Sequence, residues 1–195
     1  MGSSLAGRLL VATPRIGDPN FERTVVLVLA HGEEEGTFGI VINRPSETPV
    51  VELIPAWANV AADPAVVFLG GPVAPGAVVG VGVTGAPGGS ADDAPGLPPA
   101  DGWRPVEGPV GTVDLNQAPE GLTVALRGVR LFAGSAGWSA GQLASELAEQ
   151  AWWVVDLEPA DVLTDEPEQL WRAVLRRQAG STAWFATFPV DPLVN

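Results

Sequence analysis

The sequence contains no cysteine, no lysine and a single histidine, His31. Without cysteine there is no disulfide framework, no thiolate zinc site and no thiol nucleophile. With one histidine, a serine nucleophile has only His31 as its imidazole base. Long apolar runs are missing too. Stretches such as Val25–Ala30 are strand-sized, far short of the ~20 residues that span a bilayer. Met1–Pro14 has neither the basic start nor the long apolar core of a signal peptide. The cytoplasm is therefore the expected location. Positive charge is scarce: ten basic residues, all arginine, face 23 acidic ones, for a net charge of −13. Such a chain is repelled by nucleic acid, whose affinity for proteins rests on neutralised phosphates, and by anionic membrane surfaces. Neither is an expected partner.

What the chain does have is apolar bulk. Hydrophobic residues make up 46 % of its 195 positions and charged residues only 17 %. That length and composition predict one domain over 1–195 with a core large enough to need no staples. The apolar runs are short, rich in Val and Ile, and bounded by Gly, Pro or Asn, the pattern of strands. Strands are predicted at Arg8–Thr13, Thr24–Ala30, Thr37–Asn43, Ala65–Leu69, Ala77–Val83, Gly111–Leu115, Leu122–Leu126, Val129–Gly134 and Trp152–Asp156. The second and third are joined as a hairpin through His31–Gly36.

Helices are predicted at Val51–Val60, at Ala140–Gln150 with Leu143 and Leu147 inward and Ser139 as its cap, and at Pro167–Gln178 capped by Asp165 and Glu168. Residues 84–104 are mostly Gly, Pro, Ala and Asp, which predicts a flexible excursion. The aromatic segment after Gly180 is expected to dock on the core in extended form. Many strands with few helices in irregular order indicate an α+β fold with a mixed, largely antiparallel sheet.

Several motifs carry possible chemistry. Gly137-Trp138-Ser139-Ala140-Gly141 matches the G-x-S-x-G nucleophile elbow and lies between a predicted strand and helix. A serine hydrolase using Ser139 is the alternative this raises. Its only histidine lies far upstream, however, and Ser139 has a sufficient role as a helix cap. Gly80-Val81-Gly82-Val83-Thr84-Gly85 matches G-x-G-x-x-G, but Pro87 follows where a dinucleotide site requires a helix. A bent strand is the better reading. His31 with Glu33, Glu34 and Glu35 forms an acidic turn rather than a metal site, because consecutive side chains diverge. Gly70-Gly71-Pro72 ends a strand and marks either a turn or a close backbone approach to a ligand. The tryptophans read as core, except Trp138, which a Gly-rich turn places at an exposed corner fit to anchor a partner.

Four ordered blocks share a wider pattern. They are Gly7–Pro14 with Asp18, Phe21, Arg23 and His31; Gly39–Pro45; Gly70–Val73; and Ala136–Leu143 with Glu146 and Trp152 or Trp153. Together they resemble the YqgE/AlgH family of bacterial proteins over roughly Leu5 to Gly180. The resemblance implies a bifurcated sheet curling into a partial barrel, flanked by about three helices. It also implies a bacterial cytoplasmic protein whose family name carries a proposed role as a transcriptional regulator. Absence of lysine beside abundant Ala, Gly, Pro and Arg suggests a GC-rich, actinobacterial genome.

The expected function is a non-catalytic regulatory or binding module without cofactor or metal. Its partner is expected to be a protein or a small anionic ligand. Gly70, Gly71, Pro72, Gly137, Trp138, Gly141 and Gln142 would form its surface, because Gly-rich turns free backbone N–H groups and a helix N-terminus favours an anion. Asn43 and Arg44 would add polar contacts.

Overall fold

The computed structural model describes residues 4–85 and 102–187. Ten strands form its frame: β1 (Arg8–Ala12), β2 (Val25–Gly32), β3 (Gly36–Val41), β4 (Pro45–Pro49), β5 (Val66–Leu69), β6 (Val73–Thr84), β7 (Trp103–Glu107), β8 (Val110–Val113), β9 (Leu126–Trp138) and β10 (Trp152–Asp156). Four short α-helices lie between or after them: α1 (Val50–Leu53), α2 (Gln142–Ala148), α3 (Pro159–Val162) and α4 (Leu170–Arg176). The strand order is β10-β1-β2-β3-β9-β6-β8-β7, with β5 against β9 and β4 against β5. All strand pairings are antiparallel except β5 with β9. The α+β sheet curls into a half-barrel.

Strand alternation sorts the apolar side chains onto two faces. In β2, Val25 and Leu27 point into the half-barrel, where Leu9, Ile40, Phe68, Phe132 and the α4 residues Trp171 and Val174 complete the central cluster. Val26 and Val28 point the other way, into a second cluster under α2 with Trp138, Leu143 and Trp152. A third cluster, around Trp57, Trp103 and Leu131, covers the outer face of the β6–β9 half. Each fully buried Val, Leu or Phe contributes roughly 1.5–3 kcal/mol. The helices are four to seven residues long, too short to form alone, and are held by these clusters.

The sheet divides at β9. That strand pairs with β6 along most of its length, with β5 through Phe132 and Ala133, and with β3 through Ala136–Trp138. At the fork the Gly70 N–H donates to the Ala133 carbonyl, and the Val41 N–H donates to the Gly70 carbonyl. Phe132 pairs with Phe68 of β5 and also with Val79 of β6, so these two strands lie on opposite edges of β9. The segment Gly70–Pro72 therefore carries the chain across the face of β9.

Several elements differ from the sequence expectation. Residues 122–125 are not a strand; they follow a 3-10 turn at Pro119–Gly121, and Leu122 and Val124 bury themselves without pairing. Pro55 breaks the helix expected at 51–60 into α1 and a 3-10 turn, Pro55–Val60. The 167–178 helix starts as a 3-10 turn, Pro167–Gln169, with Glu166 rather than Asp165 at its cap. Strands β4 and β7 escaped prediction because prolines 45, 49 and 105 interrupt them. Such strands survive only where a ladder bond can be omitted, and β7 is an edge strand. After Gly180 the chain forms a 3-10 helix, Gly180–Thr187, not an extended segment. Phe185 packs against Trp153, while Trp184 is 78 % exposed. Of the excursion expected at 84–104, Thr84 closes β6 and Trp103 and Arg104 open β7; residues 86–101 lie outside the described residues.

Candidate functional site

The corner where β9 meets α2 is built around one carboxylate. Glu146 Oε2 accepts hydrogen bonds from the indole N–H of Trp138 at 2.8 Å and of Trp152 at 2.7 Å, and Oε1 accepts one from the Gln142 amide at 3.0 Å. Phe21 and the two indoles pack around this point with ring centroids 5.6–6.1 Å apart. Trp138 is consequently only 5 % exposed, not the open anchor its Gly-rich setting suggested. Glu146→Ala should leave two indole N–H groups without their acceptor. Bonds to a charged acceptor are worth about 1.5–3 kcal/mol each, so a loss of about 2–4 kcal/mol in urea unfolding is expected. Glu146→Gln, which keeps one oxygen, should lose about half of that. An Ala variant as stable as the parent would show that the clasp adds nothing.

Ser139 is not the cap of α2. Gly141 occupies that position in the left-handed conformation, φ 75°. Both the backbone N–H and the hydroxyl of Ser139 donate to Gln142 Oε1, at 3.1 and 3.2 Å. His31 lies in the same sheet row as Trp138, with Thr37 between them, but its Nδ1 pairs with Thr37 Oγ1 at 2.7 Å. Serine and histidine therefore face other partners and form no nucleophile–base pair. At the start of α2 the Gln142 N–H closes a turn onto Ser139 O and the Ser145 N–H bonds Gly141 O. This seven-residue helix end thus uses for its own turn donors that an anion would need.

The other glycine block serves the fork. A Cβ on Gly70 would strike the Gly134 carbonyl, one on Gly71 the Ser135 carbonyl, and one on Gly134 the Gly71 carbonyl. Gly71 and Gly134 also hold positive φ, 144° and 76°. Backbones can cross this closely only without side chains. The structure does bring this block beside Gly137, because Gly71 abuts Ser135 and Ala136 on the same strand. In the G-x-G-x-x-G segment, Gly80 and Gly82 leave room for Leu115, Val113, Leu126 and Trp103.

Asn43 and Arg44 brace a loop. Asn43 Oδ1 accepts from the Val25 N–H at 2.8 Å and Nδ2 donates to Arg23 O at 2.9 Å. The Arg44 guanidinium donates to the carbonyls of Asn20 at 2.6 Å, Pro19 at 3.1 Å and Glu22 at 3.2 Å. Burial lowers the Arg44 pKa, and Glu22 and Asp18 oppose that shift.

A cavity that sequence reasoning missed lies at the open end of the half-barrel. It is a groove of about 560 Å³ between the β2–β3 hairpin and the β6–β8–β7 wall. Leu29, Phe38, Val79 and Leu115 supply an apolar floor, and Arg104 and Asp114 are the charged groups on its lining. Phe38 shares the inward face with Ile40, yet it is 41 % exposed because the half-barrel is open at this end. The Asp114 carboxyl is held below the usual carboxylate range by the Asn116 backbone N–H, aided by the Asn116 and Gln117 amides. The volume falls within the ~300–1,000 Å³ typical of small-molecule sites, and the lining sets apolar side chains beside Arg104, Thr112, Asp114 and Asn116. Among the described residues no helix is long and apolar enough to cross a membrane.

A half-barrel forked at a glycine crossing, with a clasped α2 corner and an open groove, makes this a small α+β protein. The chain belongs to the AlgH-like family, whose model matches residues 9–183. UPF0301 proteins of Streptomyces avermitilis and Streptomyces coelicolor are each 52 % identical over 193 residues, covering 99 % of this chain and 96 % of theirs. A crystal structure from Corynebacterium diphtheriae superposes with a TM-score of 0.83 at 34 % identity, covering 94 % of this chain and 92 % of that one. The solution structure of the AlgH protein of Pseudomonas aeruginosa does so with a TM-score of 0.62 at 26 % identity, covering 97 % and 96 %.

Proposed function

We propose that the protein is a non-catalytic cytoplasmic binding module, and that the groove at the mouth of the half-barrel is its ligand site. The observation that carries this reading is Phe38, a large apolar side chain left 41 % exposed over a hollow of about 560 Å³ lined by apolar and polar groups together. An aromatic kept in water at a concave site costs stability unless something covers it. The glycine-rich turns and the α2 corner do not line this groove, although Phe38 pairs with Gly137 and Val78 with Ala133 on the adjoining strand. A regulatory role would act through that ligand and not through direct DNA contact, because the −13 net charge opposes phosphate binding.

An amide NMR titration against a library of small apolar and amphipathic fragments tests this. Shifts should cluster at Leu29, Phe38, Val79 and Leu115, and Phe38→Ser should abolish them without lowering the melting temperature. Shifts concentrated instead at Gly70–Pro72 and Gly141–Gln142 would sink the groove reading. A gel-shift series at low salt should show no retained DNA.

A further inference from the structure

Among the arginines that are at least partly buried, Arg104 is the odd member. Arg8 pairs with Asp156, Arg23 lies over Trp171, Arg44 and Arg130 bind carbonyls, and Arg172 also has a partner. Arg130 is buried and the others, Arg104 included, are partly buried, yet among the described residues the Arg104 side chain makes no ion pair and no hydrogen bond, in a chain with 23 acids. It stands on β7 directly opposite Thr112 of β8, so the guanidinium and the hydroxyl share one face, and both line the groove.

We propose that the groove takes a small amphipathic monocarboxylate, its apolar chain along Leu29, Phe38, Val79 and Leu115 and its carboxylate on Arg104 with Thr112 beside it. This inference rests on the groove being the ligand site. The planar guanidinium fork matches a carboxylate in bidentate geometry. A more highly charged anion such as a phosphate ester is disfavoured by the nearby Asp114, which its Asn116 and Gln117 bonds keep ionised, and by the acidic chain as a whole. A cationic ligand is disfavoured because the same bonds already engage the Asp114 oxygens, while Arg104 repels it.

The test is calorimetry on the full-length chain with octanoate, octan-1-ol, octyl phosphate and an apolar tetrapeptide bearing a free C-terminal carboxylate, with binding positions mapped by amide NMR. Octanoate should bind at least tenfold tighter than octan-1-ol. Arg104→Gln should weaken octanoate at least tenfold and leave octan-1-ol unchanged, whereas the exposed Arg127→Gln should change neither. The probe comparison in the parent protein stands even if the Arg104 variant folds poorly. Octan-1-ol binding in the groove as tightly as octanoate would overturn the carboxylate inference and leave the groove reading intact. Tighter binding of octyl phosphate, or tenfold tighter binding of the tetrapeptide, would overturn it in favour of those ligand classes. No shift in the groove with any probe would overturn both.

Discussion

Gly134→Val should lose about 2–6 kcal/mol, a large fraction of the roughly 5–15 kcal/mol that holds a typical domain folded. Two costs combine. Gly134 holds φ at 76°, where a β-branched residue is strained by about 1–3 kcal/mol. Its Cβ would also collide with the Gly71 carbonyl, and a backbone that is itself packed on Ser135 and Ala136 cannot retreat. Overpacking of this kind adds about 1–3 kcal/mol, occasionally more. Gly137 is the control. It lies three residues along the same strand with open space where its Cβ would be, so Gly137→Val should shift the urea midpoint by less than the equivalent of about 1 kcal/mol. Equal midpoints for Gly134→Val and the parent would mean that the crossing can loosen, contrary to the geometry.

Arg130→Ala should be comparably damaging, at about 3–5 kcal/mol. The side chain is 1 % exposed, lies 4.4 Å above the Phe68 ring, and donates to the carbonyls of Thr164 at 2.8 Å and Asp63 at 2.6 Å. It thus ties the loop before β5 and the loop after α3 to the central strand. Truncation opens a cavity and leaves two carbonyls without a donor. Arg130→Met fills the cavity and should recover part of the loss, the remainder reporting the carbonyls. Desolvation lowers the Arg130 pKa to about 10, opposed by Asp63 and Asp165. The folded state therefore binds fewer protons than the unfolded state as the pH rises past about 10, so the cost of burying this charge is fully present below pH 10 and is relieved above it. The gap in stability between the parent and Arg130→Met should accordingly stay flat from pH 6 to 9. A Met variant more stable than the parent would show that burying the charge costs more than the two carbonyl bonds return.

The frame was legible where chemistry is local. β1, β2, β3 and β10 alternate cleanly into two clusters, and the four family blocks fall on the elements that make the fork and the α2 corner. Trp138 was misjudged because its exposure is decided by Glu146, which accepts from it only once α2 has folded back onto the strand. Gly70 and Gly71 read as a turn or a close approach, and the backbone they approach is that of Gly134 and Ser135, far along the chain. Asn43 and Arg44 read as binding groups for the same reason: their carbonyl partners lie in the 19–23 loop, brought near by pairing across β2 and β3. The groove left no local trace at all. Its lining comes from β2, β3, β6, β7 and β8, and only Phe38, flanked by Thr37 and Gly39, hints that a strand end stays open.

The fork also orders the events by which the chain assembles. β5 and β6 are neighbours in sequence, yet neither can take its final edge until β9 has been laid between them and beneath the Gly70–Pro72 link. β1 waits longer still, because one of its two neighbours is β10. A nascent chain therefore carries its most apolar early strands unpaired on one edge while most of the protein is still being made. Such long-range pairing is slow. The scarcity of basic residues and the high negative charge give those waiting edges mutual repulsion, which keeps one unfinished chain from pairing with the next.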